Sequence, residues 1–198
     1  MTTRDQIIAT AFQLFLQKGY KEVSLMEIVR ALKLTKGAFY HHFTGKEELF
    51  REVVHTYMIE TGEGMYEALD QSSLQGFMYG YLERMHQAYL TMQQHSEGDT
   101  QTTINYFYLA FDALRVLEGF DQANQTLRAS EHSLWETVIQ HAKDAGEIKT
   151  DIPNAHLARL FVGVNDGVGM QLALQSRFQE AHAEIQVLWE DLYNLIKH

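Results

Sequence analysis

The sequence predicts an all-α fold of about nine helices, a small N-terminal head followed by a larger helical body. Apolar residues recur at helical spacing along the chain, and no stretch alternates apolar and polar residues for long. The 198 residues hold a single proline, and proline is the residue that most disrupts a helical ladder. Hydrophobic residues make up 45% of the chain, enough for a real core. The expected boundary places the head at residues 1–46 and the body at residues 47–198.

Taken in order, Thr3 with Gln6 can cap a first helix whose apolar face is Ile7, Ile8, Ala11, Phe12, Leu14 and Phe15. Lys18 lies in its last turn and Gly19 ends it. Ser24 followed by Glu27 is a capping box for a second helix carrying Leu25, Ile28, Val29 and Leu32 on one face. That helix should stop near Lys33. Thr35 then caps a third helix over Lys36–His42, in which Phe39 and Phe43 are four apart and can pack inward. Lys36, Gly37, Tyr40 and His41 face outward. Two short helices joined by three or four residues have the spacing of a helix-turn-helix that reads a DNA groove.

The outward residues suit a duplex. Lys36 can neutralise phosphate or reach a guanine edge. Gly37 lets the backbone approach closely. Thr35 and Tyr40 offer hydroxyls to phosphate oxygens, and His41 and His42 can donate to phosphate or base. Lys46 begins the next helix, whose N-terminus favours phosphate. Net charge is −10, but its distribution matters more than its sum. Residues 1–51 hold eight basic and five acidic residues, a net of +3; residues 52–198 hold eight and twenty-one, a net of −13. A basic head on an acidic body fits a nucleic-acid partner for the head.

The run LTKGAFYHHFTGKEEL resembles the recognition segment of the tetracycline-repressor (TetR) family. The matching positions are Thr35, Lys36, Gly37, Tyr40, Phe43, Lys46, Glu47 and Leu49. The resemblance covers about the first quarter of the chain. It implies that Tyr40 and Lys46 contact phosphates, that Lys36, Gly37 and His41 lie at the groove, and that Arg4, with the cap residue Ser24, is near the DNA backbone. One departure stands out. The family usually has glycine in the turn where this chain has Lys33, so a lysine must adopt a turn geometry that glycine takes at lower cost.

The fourth helix is expected over Lys46–Leu69, weakened by Gly62 and Gly64, and is the natural link between head and body. A fifth runs to about Gln94, and His95–Gln101 is a loop by composition. A sixth, Thr103–Glu118, is apolar nearly all round and is expected to be buried in the body. A seventh follows Asp121 to Ala145, an eighth starts near Pro153, and a ninth runs from about Gln179 to the end. The family resemblance implies a homodimer through the last two helices, with Leu160, Phe161, Val164, Gly167, Leu188, Trp189 and Leu192 at the seam.

The body is rich in aromatic residues and methionine, which suit a pocket for a hydrophobic or aromatic effector. Tyr66, Met85, Tyr89, Asn105, Tyr106, Phe107, Phe111, Trp135 and Met170 are its candidates. Core packing is the competing reading for each. The ten histidines are scattered, without the i, i+4 pair of a helical metal site, so neither metal nor cofactor is expected. No nucleophile elbow, phosphate-binding glycine loop or di-iron pattern supports catalysis. There is no cysteine, no signal-peptide pattern and no run long enough to span a bilayer; a cytoplasmic location is expected. A ligand-released repressor ranks first. The contrasting readings are a DNA-binding protein of the same fold controlled by a protein partner or with an architectural role, and a helical enzyme.

Overall fold

The computed structural model describes residues 2–66, 68–94 and 102–198; the loop expected over His95–Gln101 lies outside them. Among the described residues the fold is all-α, with nine helices when the continuous stretch from Lys46 to Gly64 counts as one. Helix α1 is Thr3–Lys18, α2 Leu25–Ala31 and α3 Lys36–Tyr40. Helix α4 starts at Lys46–Val54, widens into a π turn over His55–Glu60 and closes at Thr61–Gly64. Then follow α5 (Leu74–Gln94), α6 (Thr102–Val116), α7 (Phe120–Asp144), α8 (Asn154–Leu174) and, after a 3-10 turn at Phe178–Glu180, α9 (Ala181–Ile196).

The chain divides into two compact units, residues 1–62 with 92–124 and residues 63–91 with 125–198. The first unit is therefore larger than residues 1–46. Its core takes Ile7, Phe12 and Phe15 of α1, Phe39 and Phe43 from the α3 region, Leu49 and Val53 of α4, and Leu109 and Ala113 of α6. Helix α6 packs on α1 and α4 because those residues give it a continuous apolar stripe. The expectation that α6 is buried in the body on all sides is thus corrected. It covers the head with one face, while Tyr108, Phe111 and Leu114 on the other are exposed. Asn105 donates to the Leu16 carbonyl and the Tyr106 hydroxyl to the Tyr57 carbonyl (3.2 Å), fastening α6 in place.

The second unit is built around Trp135 of α7, which stacks on Phe161 (5.1 Å, 9°) and meets Phe77 and Trp189 edge-on. The Trp189 indole donates to the Phe161 carbonyl (2.9 Å). Phe161 and Trp189 are therefore core residues, not seam residues; each spaces α8 against α9 within one chain. Glu147 ties the base of this unit together. Its carboxylate accepts from the Leu74 and Gln75 backbone N–H groups, both at 2.9 Å, capping α5 from outside the helix, and from Tyr193 (3.2 Å). Such a cap satisfies donors that a helix start leaves unpaired.

Helix α4 ends at Gly64 rather than at Leu69, as its two glycines allow. In its π turn the partners are five residues apart: His55 Nδ1 faces Glu60 Oε1 at 3.3 Å, and the Thr61 hydroxyl donates to the Thr56 carbonyl at 3.2 Å. An α-helix would set such pairs on different faces. The first cap also shifts by one residue. Thr2, not Thr3, caps α1, with Asp5 returning a bond to the Thr2 N–H (2.8 Å).

Helix α2 ends in a Schellman turn. Lys33 N–H bonds to Arg30 O and Leu34 N–H to Val29 O, both at 3.0 Å, with Lys33 at φ +54°. Ser176 (φ +56°) closes α8 in the same way, and Gly146 (φ +73°) closes α7. A non-glycine residue in this conformation costs roughly 1–2 kcal/mol, offset partly by the larger folding entropy cost of glycine. Lys33→Gly should therefore stabilise the protein by about 0.5–1 kcal/mol, read as a raised melting temperature by circular dichroism.

Candidate nucleic-acid interface

The helix-turn-helix is assembled from two caps and two buried rings. Ser24 Oγ accepts from the Glu27 N–H (3.2 Å) and Thr35 Oγ1 from the Ala38 N–H (3.1 Å). Half of the expected capping box is different: Glu27 pairs with Lys18 of α1 instead of returning to Ser24. That contact ties α2 to α1 and holds the Glu27 carboxyl below its usual range, Lys18 being the main cause. Phe39 and Phe43 point into the core. With them inside, Thr35, Lys36, Gly37, Tyr40 and His41 must lie outside, and all are exposed. Tyr40 is 54% exposed although its ring meets Phe39 edge-on at 5.6 Å. His42 is half-buried beside His41. A Cβ on Gly37 would meet nothing closer than Thr35 Oγ1 at 3.9 Å, so the protein itself leaves room for one. The glycine is thus not needed for internal packing, and a smooth outer surface is what it adds.

Charge on this face is available. Lys33 and Lys36 are exposed and make no ion pair among the described residues. Arg4 is engaged but near the surface, paired with Glu52 (2.6 Å) and lying over the Phe43 ring at 5.2 Å.

Lys46 departs from expectation. Its ammonium donates inward to the Tyr20 carbonyl (2.9 Å) and the Val23 carbonyl (3.0 Å) and lies 4.2 Å from the Tyr20 ring centre. Burial pulls its pKa below the ordinary lysine range, with Asp112 opposing. The side chain thus closes the α1–α2 turn against α4, and only the backbone end of α4 faces outward for an anion. Thr44 and Glu48 shape that end: Glu48 Oε2 accepts from both the Thr44 N–H (2.6 Å) and its hydroxyl (2.5 Å). Those bonds, the hydroxyl first, hold the Glu48 carboxyl below its usual range.

The proposed effector residues do not form one cluster. Asn105, Tyr106, Phe107 and Phe111 belong to the first unit, with Asn105 and Tyr106 bonded into the head and Phe111 exposed. In the second unit Trp135 is core, and Met170 is half-buried. Met85 and Tyr89 line a cleft of about 200 Å³, open mouth included, with His86, Phe178 and His182. Tyr66 instead donates to Glu131, the one charged side chain buried in the described core (3% exposed). Sequence reasoning passed over Glu131 and Arg128. Their signal was a charge at helical spacing on the same face as Trp135. Of the seam candidates, Leu160, Gly167 and Leu188 are exposed, and Val164 and Leu192 are half-buried.

A capped two-helix unit presenting lysine, tyrosine and histidine over a buried phenylalanine pair defines a helix-turn-helix DNA-binding protein. Residues 7–53 match the family model described as bacterial regulatory proteins, tetR family. That match spans about a quarter of the chain and makes this segment similar to the DNA-binding part of that family. The chain is 24% identical over 189 residues to the uncharacterized regulator YfiR of Bacillus subtilis (strain 168), covering 93% of this chain and 85% of that one. It is 35% identical over 74 residues to the repressor NemR of Escherichia coli (strain K12), a match covering 32% of this chain and 37% of NemR. In structure it is similar to SmeT, solved as a triclosan complex, with a TM-score of 0.72 at 15% identity over 100% of this chain and 93% of that one. Likeness at that identity shows the fold alone. No helix among the described residues is long and apolar enough to cross a membrane.

Two outcomes follow from this geometry. Lys46→Ala should lower thermal stability by about 1–3 kcal/mol, because two carbonyls lose a charged donor; an unchanged melting temperature would return Lys46 to the role of a free phosphate ligand. The Glu48 contribution is present above the ordinary carboxylate pKa of about 4.3 and is lost as pH falls through its lowered folded value. Glu48→Gln should therefore flatten the fall in melting temperature below about pH 4.

Proposed function

We propose that the protein is a homodimeric repressor whose operator affinity is changed by a small hydrophobic or aromatic effector held in the body. The observation that carries the DNA half is the outer face of α3, where unpaired Lys36 and exposed Tyr40 flank Gly37. In this reading residues 1–46 read DNA and residues 47–198 bind effector and partner subunit. Two α3 helices enter successive major grooves roughly 34–36 Å apart. Arg4, Thr35, Tyr40 and the N-terminal end of α4 hold phosphates, while Lys36, His41 and His42 approach base edges.

The dimer is supported by apolar surface on the last two helices. Leu160 and Leu174 of α8 and Val187, Leu188 and Leu195 of α9 are exposed, Leu195 by 83%, and a Cβ at Gly163 or Gly167 would meet nothing within 4 Å. Such a stripe, with glycines that permit close approach, suits a self-complementary helix pair. Effector control is supported by Tyr66, Met85 and Tyr89 in the second unit and by the triclosan complex of SmeT. The chain passes between units at residues 62–63, 91–92 and 124–125, each time within a helix. An effector that prefers one arrangement of these helices changes operator affinity by that preference alone.

The test is salt-resolved binding to DNA from upstream of the protein's own gene. Lys36→Ala with Tyr40→Phe should weaken binding to all sequences and reduce the salt slope by about 1, without altering the melting temperature. An unchanged slope removes these residues from the contact. Leu160→Glu with Leu188→Glu should yield a folded monomer by light scattering that binds DNA far more weakly. A dimer that persists sinks the proposed seam.

A further inference from the structure

Glu131 and Trp135 lie one turn apart on α7, on the same face. Glu131 is held from two sides. The Tyr66 hydroxyl donates to one carboxylate oxygen, and Arg128 Nη1 donates to the other at 2.7 Å. The same guanidinium reaches Asp166 of α8 at 3.2 Å. Asn165 donates to the Tyr81 hydroxyl at 3.2 Å, and the Tyr66 and Tyr81 rings stack at 5.6 Å. One planar cation therefore bridges two carboxylates beside a pair of tyrosine rings.

Several features set this group apart from an ordinary structural ion pair. The Glu131 side chain is 4% exposed whereas that of Arg128 is 46% exposed. The carboxylate is part of the core, but the cation enters from the surface on a flexible stem and can leave the same way. Two carboxylates face one guanidinium, so the group carries a net −1 and disfavours an added anion. Burial pushes the Asp166 carboxyl upward, with Arg128 pulling it back. Burial, with Tyr81 and Glu131, keeps Tyr66 firmly in its neutral form. Neutral tyrosine faces attract cations more strongly where water is excluded. Finally, the Trp135 Nε1 donor, in a residue 1% exposed, has no acceptor among the described residues, nor has His132 Nδ1. The Trp135 ring lies 6.1 Å from that of Tyr81. A buried indole N–H normally finds a partner, and this unpaired donor sits beside the network.

We propose that Glu131 and Asp166 form a binding site for a planar organic cation, an amidinium or guanidinium on an aromatic body, and that Arg128 occupies it until such a ligand displaces it. The inference rests on the reading of the body as effector-binding and names the effector's chemical class. The ligand's cationic head replaces the guanidinium between Glu131 and Asp166, its ring lies against Tyr66 and Tyr81, and an acceptor atom on the same body meets Trp135 Nε1. Because the internal cation must leave first, apparent affinity is reduced by the fraction of time Arg128 stays in place.

The test uses the full-length protein without DNA, so its outcome is independent of operator binding. Benzamidinium is titrated against tryptophan fluorescence and calorimetry, with uncharged benzamide as control. Saturable binding of benzamidinium and not benzamide is expected, roughly tenfold or more tighter in Arg128→Ala and lost in Glu131→Gln. In Arg128→Ala, which leaves a buried carboxylate unpaired, methylguanidinium should also restore the melting temperature. If that variant does not fold, half-exposed Asp166→Asn serves instead and should weaken wild-type binding. No saturable binding, equal binding of benzamide, or full affinity in Glu131→Gln and Asp166→Asn would overturn the proposal. A different compound class that releases operator DNA while benzamidinium fails would leave the repressor reading standing and remove only this one.

Discussion

The DNA-binding face depends on the burial of Phe39 and Phe43. Helix α3 spans only Lys36–Tyr40, far too short to hold its shape alone, since helix nucleation is costly and isolated short helices melt. The Thr35 cap supplies one bond at its start. The rest comes from two phenylalanine rings, at most 1% exposed, in a core shared with α1 and α4. Because those rings are four apart, their burial also sets which residues face out. The geometry of Lys36, Gly37, Tyr40 and His41 is thus a consequence of packing on the opposite side. Helix α6 extends the same core by covering α1 and α4, fastened by two hydrogen bonds from Asn105 and Tyr106.

The second unit solves a different problem. Its aromatic cluster of Phe77, Trp135, Phe161 and Trp189 supplies the apolar burial. Beside it runs a polar network joining Tyr66, Tyr81, Arg128, Glu131, Asn165 and Asp166. Its one buried charge, Glu131, is paired from two sides, as a buried carboxylate must be to offset its desolvation. The network links residues from α5, α7, α8 and the stretch after α4.

Much of this was legible in the sequence because local signals and burial agree. Ser24, Thr35, Gly19 and Gly146 each mark a helix end by chemistry that acts within a few residues. The helical spacing of apolar residues placed most of the other boundaries within a few positions. The turn at Lys33 was readable as a departure from glycine, and its φ of +54° is the physical counterpart. What failed was long-range. Lys46 reads as a surface cation, yet Tyr20 and Val23 turn it inward through carbonyls more than twenty residues away. Helix α6 reads as fully buried, because its composition does not say which face meets the head. Phe161 and Trp189 fall on apolar stripes that serve the chain's own core, and spacing alone cannot separate a core stripe from a seam.

The most direct test of the central claim is hydroxyl-radical footprinting of the protein on DNA upstream of its own gene. Two heads on a two-fold axis predict two equal protected patches with centres about 10–10.5 base pairs, or a multiple of that, apart. Protection of one patch only, or none at low salt, would contradict the account of a paired α3 interface.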